Sequence, residues 1–527
     1  MVKGERDKDQ LELVDFTLGQ LLERAVNREP DKVALIFPLN GDSMTYREFS
    51  AEVDRWCSFL SESSVKLGDR VGVMLSNRIE YPVVWFAIAQ LGAVMVTINA
   101  NFRSVDARHL IEWTESRLVI GETKTMGVLQ DVASAMGDSF AIVDVDSLGI
   151  MLVPSRLEST SVVPDMAVNI QFTSGTSGLP KGCILSHRYW MVMAHKNVNE
   201  VPGLGSRDVI LTAQPFSYMD PQWSLASAVA AVGTLVVLDR FHPSTFWQAV
   251  AEHDVTFFYC LGVMPRLMLQ SPVVPAERAH KLRVVCCSGI PAEAHAELEA
   301  RFNVPWLETY GMTEIGNGAA MRLEEADRHV GTGVIGRATS RRDLRVVDES
   351  GITLPRGTEG ELVVRGVGLM DGYYNDEKST AEAFRNGWFR TGDVVVMDLH
   401  GFISFRQRRK DIIRRSGENI SALEVEAVVG QYPGVLFVAC VPVSDELRGE
   451  EVKAFVVLQE GTNKEVVESE LPDFCGNLLA YFKVPRYWEV VEELPLTASS
   501  KVAKSELLAQ IQVSGVLGWD RVKKTWN

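Results

Sequence analysis

The segment FTSGTSGLPKG, residues 172–182, is rich in hydroxyls and glycines and ends near a lysine. Small residues let successive backbone N–H groups turn toward one centre, the hydroxyls add donors, and Lys181 adds positive charge. These properties suit a polyphosphate. The spacing is not that of a Walker A loop, because only two residues separate Gly175 from Gly178 and because Lys181 is followed by Gly182. A plain flexible loop therefore stays open as the alternative.

Further segments carry side chains that could complete a nucleotide site. Thr313 and Glu314 pair a hydroxyl with a carboxylate, which could contact a phosphate oxygen and hold Mg²⁺. Asp393 ends a second segment and is suited to binding two ribose hydroxyls. Two more segments contribute cations. In chain order the segments are ETYGMTE (308–314), GWFRTGD (387–393), RQRRKD (406–411) and PLTASSKVAK (495–504).

The elements that must position these residues alternate between helix and strand patterns. YREFSAEVDRWCSFL has the period of an amphipathic helix, and RVGVML and RVVCCSG are short, continuously apolar runs typical of parallel strands. From about residue 340, Gly and Pro interrupt short alternating strands, which predicts an antiparallel β subdomain. After about residue 410 an α+β unit follows, including a predicted helix over KEVVESELPDFCGNLL (464–479). The chain is therefore predicted to be an α/β protein.

The composition indicates a folded protein with an acidic surface. Hydrophobic residues make up 46%, and 53 Lys+Arg against 69 Asp+Glu give a formal net charge of −16. Such a charge disfavours nucleic acid as a partner. The apolar runs are shorter than the ~20 residues of a membrane span, and the N-terminus lacks the apolar core of a signal peptide. We expect a cytoplasmic protein without an integral membrane segment, with its seven cysteines reduced.

Taken together and in this order, the motifs resemble those of the adenylate-forming superfamily, in its AMP-dependent acyl-CoA synthetase branch. The resemblance extends from TYREFSAEVDRWCSFL through TINANFRSVDARHLI to Lys501. It implies a large N-terminal domain of two α/β sheets plus a β subdomain over 1–407, a hinge at 408–411, and a small mobile α+β domain over 412–527. It also implies ATP, Mg²⁺ and, as co-substrate, CoA.

The resemblance assigns a nucleotide-binding role to the motif residues. Tyr310 would stack on adenine, Thr313 would contact the α-phosphate and Glu314 would hold the metal. Asp393 would bind the ribose with support from Arg408. The full set of ATP-binding residues that it implies is Thr173, Ser174, Gly175, Thr176, Ser177, Gly178, Lys181, Gly289, Tyr310, Gly311, Thr313, Asp393 and Arg408.

Two lysines near the end of the chain would serve catalysis and domain motion. Lys410 falls at the hinge about which the small domain swings between two half-reactions. Lys501 aligns with the lysine of the family's PxTxxGK motif, where an ammonium neutralises charge as the substrate carboxylate attacks the α-phosphorus. Thr313 and Glu314 complete the implied catalytic set. Gln407 and Ser500 replace family glycines, and serine would be strained if its loop requires positive φ.

The acyl pocket is expected among PFSYMDPQW (215–223), YCLGV (259–263) and CSGIP (287–291). Aromatic residues there offer an amphipathic wall, although plain packing stays open as an interpretation. The first segment has some likeness to crotonobetaine/carnitine-CoA ligases, where Asp220 beside aromatics would suit a quaternary ammonium. A medium-sized or polycyclic carboxylic acid is equally compatible. The candidate pocket residues are Tyr218, Trp223, Gly262, Ser288 and Gly311.

The implied reaction joins a small-molecule carboxylic acid to a thiol in two steps. The acid and MgATP give an acyl-adenylate and pyrophosphate, and CoA then takes the acyl group and releases AMP. One alternative is a stand-alone enzyme that loads an acyl group onto the phosphopantetheine of an acyl carrier protein. Another is a non-catalytic nucleotide-binding relative, which would be expected to have lost Lys501, Glu314 or Asp393; all three are present. A luciferase-like monooxygenase and a homodimer also stay open.

Overall fold

The computed structural model describes residues 12–148, 161–173, 180–261, 264–408, 412–415, 418–445, 448–479, 481–497 and 501–527. Two compact units are distinguished. The first contains the described parts of Met1–Gly175, Leu179–Leu344 and Val364–Phe389, and the second those of Arg345–Val363 and Arg390–Asn527. The domain boundaries implied by the resemblance, at 407 and 412, stay a prediction.

The helices are distributed over the whole chain. In chain order they are α1 (Leu18–Arg28), α2 (Tyr46–Glu62), α3 (Glu80–Gln90), α4 (Ser104–Thr114), α5 (Met126–Ala135), α6 (His187–Asn199), α7 (Met219–Ala231), α8 (Phe246–Glu252), α9 (Met264–Gln270), α10 (His295–Phe302), α11 (Leu323–Ala326), α12 (Glu377–Ala383), α13 (Ala422–Val429), α14 (Glu470–Leu478) and α15 (Lys504–Ser514).

The strands alternate with these helices. They are β1 (Val33–Phe37), β2 (Asp42–Thr45), β3 (Arg70–Met74), β4 (Val94–Thr97), β5 (Leu118–Gly121), β6 (Ala141–Asp144), β7 (Ala167–Thr173), β8 (Lys181–Ser186), β9 (Val209–Thr212), β10 (Thr234–Val237), β11 (Phe257–Leu261), β12 (Val284–Ser288), β13 (Trp306–Met312), β14 (Gly316–Ala320), β15 (Val334–Ala338), β16 (Arg342–Val347), β17 (Glu359–Gly366), β18 (Gly372–Tyr373), β19 (Phe384–Arg385), β20 (Trp388–Met397), β21 (Ile403–Arg408), β22 (Ile412–Arg415), β23 (Glu418–Ser421), β24 (Val435–Asp445), β25 (Gly449–Leu458), β26 (Tyr487–Val490), β27 (Trp519–Asp520) and β28 (Thr525–Trp526).

Local sequence explains where the early helices begin and which faces they bury. Thr45 caps α2 through a capping box in which its hydroxyl accepts from the Glu48 N–H and the Glu48 carboxylate accepts from the Thr45 N–H. The helix buries Tyr46, Phe49 and Val53 at the spacing of one helical face. This is the amphipathic helix predicted from YREFSAEVDRWCSFL.

The first unit contains two sheets, as predicted. One has the order β18-β8-β7-β4-β3-β5-β6, with parallel strands in its centre and an antiparallel β7–β8 hairpin. The other includes the run β15-β14-β13-β12-β11-β9-β10-β1-β2, parallel from β13 to β1. The predicted α/β class is therefore confirmed. Among the described helices, none is long and apolar enough to cross a membrane.

Aromatic packing fills the core beside the second sheet. The ring of Trp247 in α8 stacks on Phe302 of α10 at 4.2 Å between centroids. Phe258 and Trp306, from β11 and β13, meet edge to face at 6.1 Å. Trp247 also contacts Phe258, and Phe302 contacts Trp306. The rings therefore fasten α8 and α10 to the strands whose ends carry candidate site residues, because buried aromatic pairs add directional stability to area burial.

The second unit has its own core. Its sheet runs β23-β22-β25-β26-β27-β28, with β24 paired along β25. The predicted single helix over 464–479 is wrong: a short 3₁₀ turn, Lys464–Val467, precedes α14. Pro472 explains the restart, because proline lacks an N–H and is favoured in the first turn of a helix but not in its interior.

Candidate active site

The ends of the predicted phosphate loop lie side by side on the β7–β8 hairpin. Thr173 and Lys181 are paired in register, and the Thr173 hydroxyl donates to the Lys181 carbonyl at 3.4 Å. A Cβ on Gly182 would lie 2.7 Å from Ile170 Cγ2, so this position excludes a side chain. The intervening candidates Ser174, Gly175, Thr176, Ser177 and Gly178 lie outside the described residues.

Lys181 is connected to Glu314 through a tyrosine that the sequence motifs did not include. The Lys181 ammonium donates to Ser379 Oγ at 2.7 Å and lies 5.1 Å from the centre of the Tyr373 ring. The Tyr373 hydroxyl donates to Glu314 Oε1 at 3.0 Å. Burial, reinforced by the Glu314 charge, raises the pKa of Tyr373, so the phenol keeps the proton that it donates. Tyr373 reaches this place because β18 pairs with β8.

The turn between β13 and β14 fixes Thr313 and Glu314. The Tyr189 hydroxyl donates to the Thr313 carbonyl at 3.0 Å, and the Met370 N–H donates to the Glu314 carbonyl at 2.9 Å. Gly311 is required here, since a Cβ would lie 2.4 Å from the Gly316 carbonyl oxygen. The strand pair changes register between Tyr310 and Gly311, and such irregularities often re-aim side chains beside sites.

The donor set fits a magnesium nucleotide. Mg²⁺ commonly binds through one or two protein carboxylates together with substrate phosphates. Across the described ranges, no group of three or more His, Cys, Asp or Glu could hold a metal by itself. Glu314 is 8% exposed and fixed by Tyr373, and a carboxylate retains further acceptor positions after one such bond. It is therefore a suitable single ligand for a cation carried by ATP.

A buried carboxylate organises the turn that contains Gly289. Glu308 accepts from the N–H groups of Gly289 and Ile290 at 2.7 and 2.8 Å. Burial raises the pKa of Glu308 to about 7. The Ser288 hydroxyl donates to the Thr309 carbonyl at 2.8 Å. Glu308 is the first residue of ETYGMTE, yet its role as the support of the Gly289 turn was not predicted.

The structure brings several acyl-pocket candidates together. Trp223 packs edge to face on Tyr259 at 5.2 Å, and the Tyr259 hydroxyl donates to Ser288 Oγ at 2.7 Å. Tyr218 precedes α7, and its hydroxyl oxygen accepts from Asn99 Nδ2 at 3.1 Å. Gly262 lies outside the described residues. Tyr259, the first residue of YCLGV, joins Trp223 to Ser288, a role that the sequence did not predict.

Asp220 lies in a buried environment of hydroxyls. Its two oxygens accept from Thr212 Oγ1 at 3.3 Å and Ser224 Oγ at 3.2 Å. Burial raises the pKa of Asp220 to about 7. Thr212 belongs to β9 and Ser224 to α7, so these two hydrogen bonds hold the carboxylate between the helix and the strand.

In the second unit, Asp393 and Arg408 are neighbours across the antiparallel β20–β21 pair. Asp393 is 1% exposed, and its N–H donates to Thr391 Oγ1 at 3.1 Å. The Thr391 hydroxyl in turn donates to the Leu362 carbonyl at 2.7 Å. Glu361 binds Arg390 and accepts from the Gly392 N–H at 3.2 Å. The backbone that presents Asp393 is therefore fixed on both sides.

Lys501 lies in a turn closed by reciprocal bonds. The Lys501 N–H donates to Thr497 Oγ1 at 3.1 Å, and the Thr497 N–H donates to the Lys501 carbonyl at 2.6 Å. Lys501 is exposed, three residues before α15. Ser500 and the hinge candidate Lys410 lie outside the described residues.

The chain is similar to known protein families and to individual enzymes. The family model of the AMP-binding enzyme matches residues 22–374, and that of the AMP-binding enzyme C-terminal domain matches residues 424–501. A crotonobetaine/carnitine–CoA ligase of Citrobacter koseri is 30% identical over 500 residues, which cover 90% of this chain and 96% of that protein.

Solved structures show the same architecture. ATP-bound MatB from Rhodopseudomonas palustris has a TM-score of 0.84 at 25% identity, covering 94% of this chain and 99% of that one. The o-succinylbenzoate CoA synthetase of Bacillus subtilis, in complex with its acyl-adenylate intermediate, has a TM-score of 0.81 at 25% identity, covering 94% and 98%. The predicted membership of the adenylate-forming superfamily is confirmed. The chain belongs to the AMP-binding enzyme family and carries that family's C-terminal domain.

Proposed function

We propose that this enzyme is an acid–CoA ligase that forms AMP. A carboxylate oxygen of the substrate attacks the α-phosphorus of MgATP, giving an acyl-adenylate and pyrophosphate. The CoA thiol then attacks the acyl carbon and releases AMP. The observation that carries the proposal is the contact series from Lys181 through Tyr373 to Glu314, which fixes a cation and a buried carboxylate beside the base of the phosphate loop. The similarity to crotonobetaine/carnitine–CoA ligases supports CoA as the acceptor.

The first unit would bind and orient the nucleotide. Thr173, the loop 174–178 and Lys181 would hold the phosphates through N–H, hydroxyl and ammonium donors. Thr313 would contact the α-phosphate and Glu314 would hold Mg²⁺. When bound, this ion neutralises phosphate charge. Tyr310, Gly289 and Gly311 would line the adenine end, which requires the close backbone approach that the glycines permit.

The second unit would supply the ribose and catalytic contacts. Asp393 would accept from the ribose hydroxyls, with Arg408 beside it, and Lys501 would stabilise the negative charge that develops at the α-phosphate. Lys410 would be the hinge residue. Because the reaction consumes ATP and CoA, we place the enzyme in the cytoplasm. The assay below can reveal a carrier-protein acceptor, whereas the molecular mass of the purified enzyme in solution would reveal a homodimer.

The test is release of AMP and pyrophosphate from MgATP with short, long, aromatic, polycyclic, dicarboxylic and betaine-type acids, each with and without CoA. We expect one acid class to give CoA-dependent AMP turnover. Lys501→Ala should reduce adenylation about 100-fold or more, the usual cost of losing a transition-state charge contact. Lys464→Ala is the matched control, since Lys464 is an exposed lysine of the same unit. Adenylate that accumulates without CoA turnover would indicate a carrier-protein acceptor instead.

A further inference from the structure

Lys196, in α6, has a buried ammonium whose hydrogen bonds go to neutral amides. The side chain is 3% exposed, although lysines are rarely buried without a charged partner. Its ammonium donates to Asn197 Oδ1 at 3.2 Å and, with the Asn317 amide oxygen turned toward it, to that oxygen at 3.1 Å. No ion pair of Lys196 is present in the part of the chain that the structure describes. An ammonium has three donors, so these two amides leave one for a further acceptor.

The titratable neighbours of Lys196, Glu200 and Cys286, do not neutralise its charge at contact distance. Glu200, one turn further along the chain, directs both carboxylate oxygens to the Ser340 N–H, at 3.0 and 3.2 Å. The Cys286 thiol is neutral, since burial raises its pKa to about 11. Burial lowers the pKa of Lys196, while Cys286 and Glu200 oppose that shift. A buried cation of this kind is stabilised when an anion binds beside it.

Lys196 lies on the same side of the second sheet as the acyl-pocket candidates. Cys286, its electrostatic neighbour, is two residues before Ser288 on β12, so both side chains point to one face. Tyr259 is the register partner of Cys286 on β11 and binds Ser288 through its hydroxyl. Tyr259 and Ser288 of the predicted acyl pocket and the neighbourhood of Lys196 therefore share one face of these strands.

Two further contacts connect Lys196 to this region. Asn317, which accepts from the ammonium, is the register partner of Gly311, another pocket candidate. Asn197 donates through Nδ2 to Ser227 Oγ at 2.9 Å, and the Ser227 hydroxyl donates to the Trp223 carbonyl at 2.6 Å. Lys196 is thus joined through hydrogen bonds to α7, which carries Trp223, and to β14, which pairs with the strand of Gly311.

We propose that Lys196 is a specificity-determining residue that binds a second carboxylate at the far end of the acyl group, so that the preferred substrate is a dicarboxylic acid. The proposal rests on the proposed ligase function and names its substrate class. A carboxylate there would complete the hydrogen bonds of the ammonium, whereas a methyl end would leave the cation unpaired and a trimethylammonium end would be repelled. The substrate would then differ in charge from that named for the crotonobetaine/carnitine ligases.

The first test uses the unaltered enzyme. AMP release is measured with sets of acids of equal length that end in methyl, carboxylate or trimethylammonium, across several lengths and with an aromatic spacer. We expect kcat/KM for the best carboxylate-ended acid to exceed that of its methyl-ended match by about 30-fold or more, as for other buried hydrogen-bonded charge pairs. Equal rates, or a preference for the ammonium-ended acid, would overturn the inference while leaving the ligase function intact. AMP release with none of the acids would overturn the ligase function itself.

A variant tests the role of the ammonium directly. Lys196→Met keeps the length of the side chain and removes its charge; we expect it to lose the preference for the carboxylate-ended acid while its KM for ATP stays unchanged. Lys453→Met is the control, because Lys453 is also fully buried but pairs with Glu489 in the second unit. The control should keep the wild-type ratio of kcat/KM between the carboxylate-ended acid and its methyl-ended match. A Lys196→Met enzyme that folds and keeps that ratio would refute the assignment, and if it does not fold, the comparison of acids on the unaltered enzyme decides.

Discussion

Replacing Tyr373 by phenylalanine tests whether the position of Glu314 matters for adenylation. The substitution removes the hydroxyl that donates to Glu314 Oε1 at 3.0 Å and keeps the ring beside Lys181. Hydrogen bonds to charged groups contribute about 1.5–3 kcal/mol. Because about 1.4 kcal/mol corresponds to a tenfold change in rate, kcat/KM for adenylation should fall roughly 10- to 100-fold.

Pyrophosphate–ATP exchange with the preferred acid measures this step without CoA. The Mg²⁺ concentration for half-maximal exchange should rise in Tyr373→Phe, since the carboxylate that would hold the ion is less fixed. Tyr374→Phe is the matched control, because the substitution keeps the ring that packs on the core. The hydrogen bonds seen for Tyr374 within the described residues are made by its backbone: its N–H donates to the Gly182 carbonyl at 2.7 Å, and its carbonyl accepts from Trp113 Nε1 at 3.2 Å. Wild-type exchange and Mg²⁺ dependence in a folded Tyr373→Phe enzyme would refute the reasoning.

Two further predictions concern stability. The pKa of Asp220, about 7 in the folded protein against an ordinary 3.8, means that the folded state keeps a proton that the unfolded state loses. The contribution of this carboxyl to the free energy of unfolding should be complete below about pH 4 and lost as pH rises through 7, by up to about 4 kcal/mol. The measurement is urea unfolding of wild type and Asp220→Asn from pH 4.5 to 8. A difference in free energy of unfolding between the two proteins that stays constant over this range would contradict the prediction. Gly311→Ala should lower the unfolding temperature and the rate of pyrophosphate–ATP exchange, because its Cβ would lie 2.4 Å from the Gly316 carbonyl oxygen. Overpacking of this kind typically lowers the free energy of unfolding by about 1–3 kcal/mol. Gly127→Ala, in the helix α5 with open space around its Cβ, should be neutral or slightly stabilising, and equal losses in the two variants would show that the close approach at Gly311 is unimportant.

Helices, strands and site residues that are marked by a contiguous sequence motif could be predicted. The capping box at Thr45 and the apolar spacing behind it define α2, and the continuous run ending at Ser288 defines β12. Thr313, Glu314 and Lys501 could be proposed as site residues because each lies in a compact motif. The residues of each motif are adjacent in the sequence, so a single sequence is enough to recognise the motif.

The supporting residues could not be predicted, because strand pairing brings them from elsewhere in the chain. Tyr373 contacts Glu314 across 59 positions, and no motif marks it. Lys196 looks like an ordinary polar residue in the helix-like HRYWMVMAHKNVN until α6 buries it. No sequence motif indicates a role for the tail 518–527. The structure forms β27 and β28 there, and the Asp520 carboxylate accepts from Arg486 at 3.1 Å.

The central claim is that the acid is activated by attack of its own carboxylate oxygen on the α-phosphorus. The most direct measurement uses the preferred acid labelled with ¹⁸O in both carboxylate oxygens, together with ATP, Mg²⁺ and CoA, followed by mass spectrometry of the nucleotide product. The account predicts AMP that carries one ¹⁸O per turnover and pyrophosphate that carries none. Unlabelled AMP, or ADP with labelled phosphate, would contradict it.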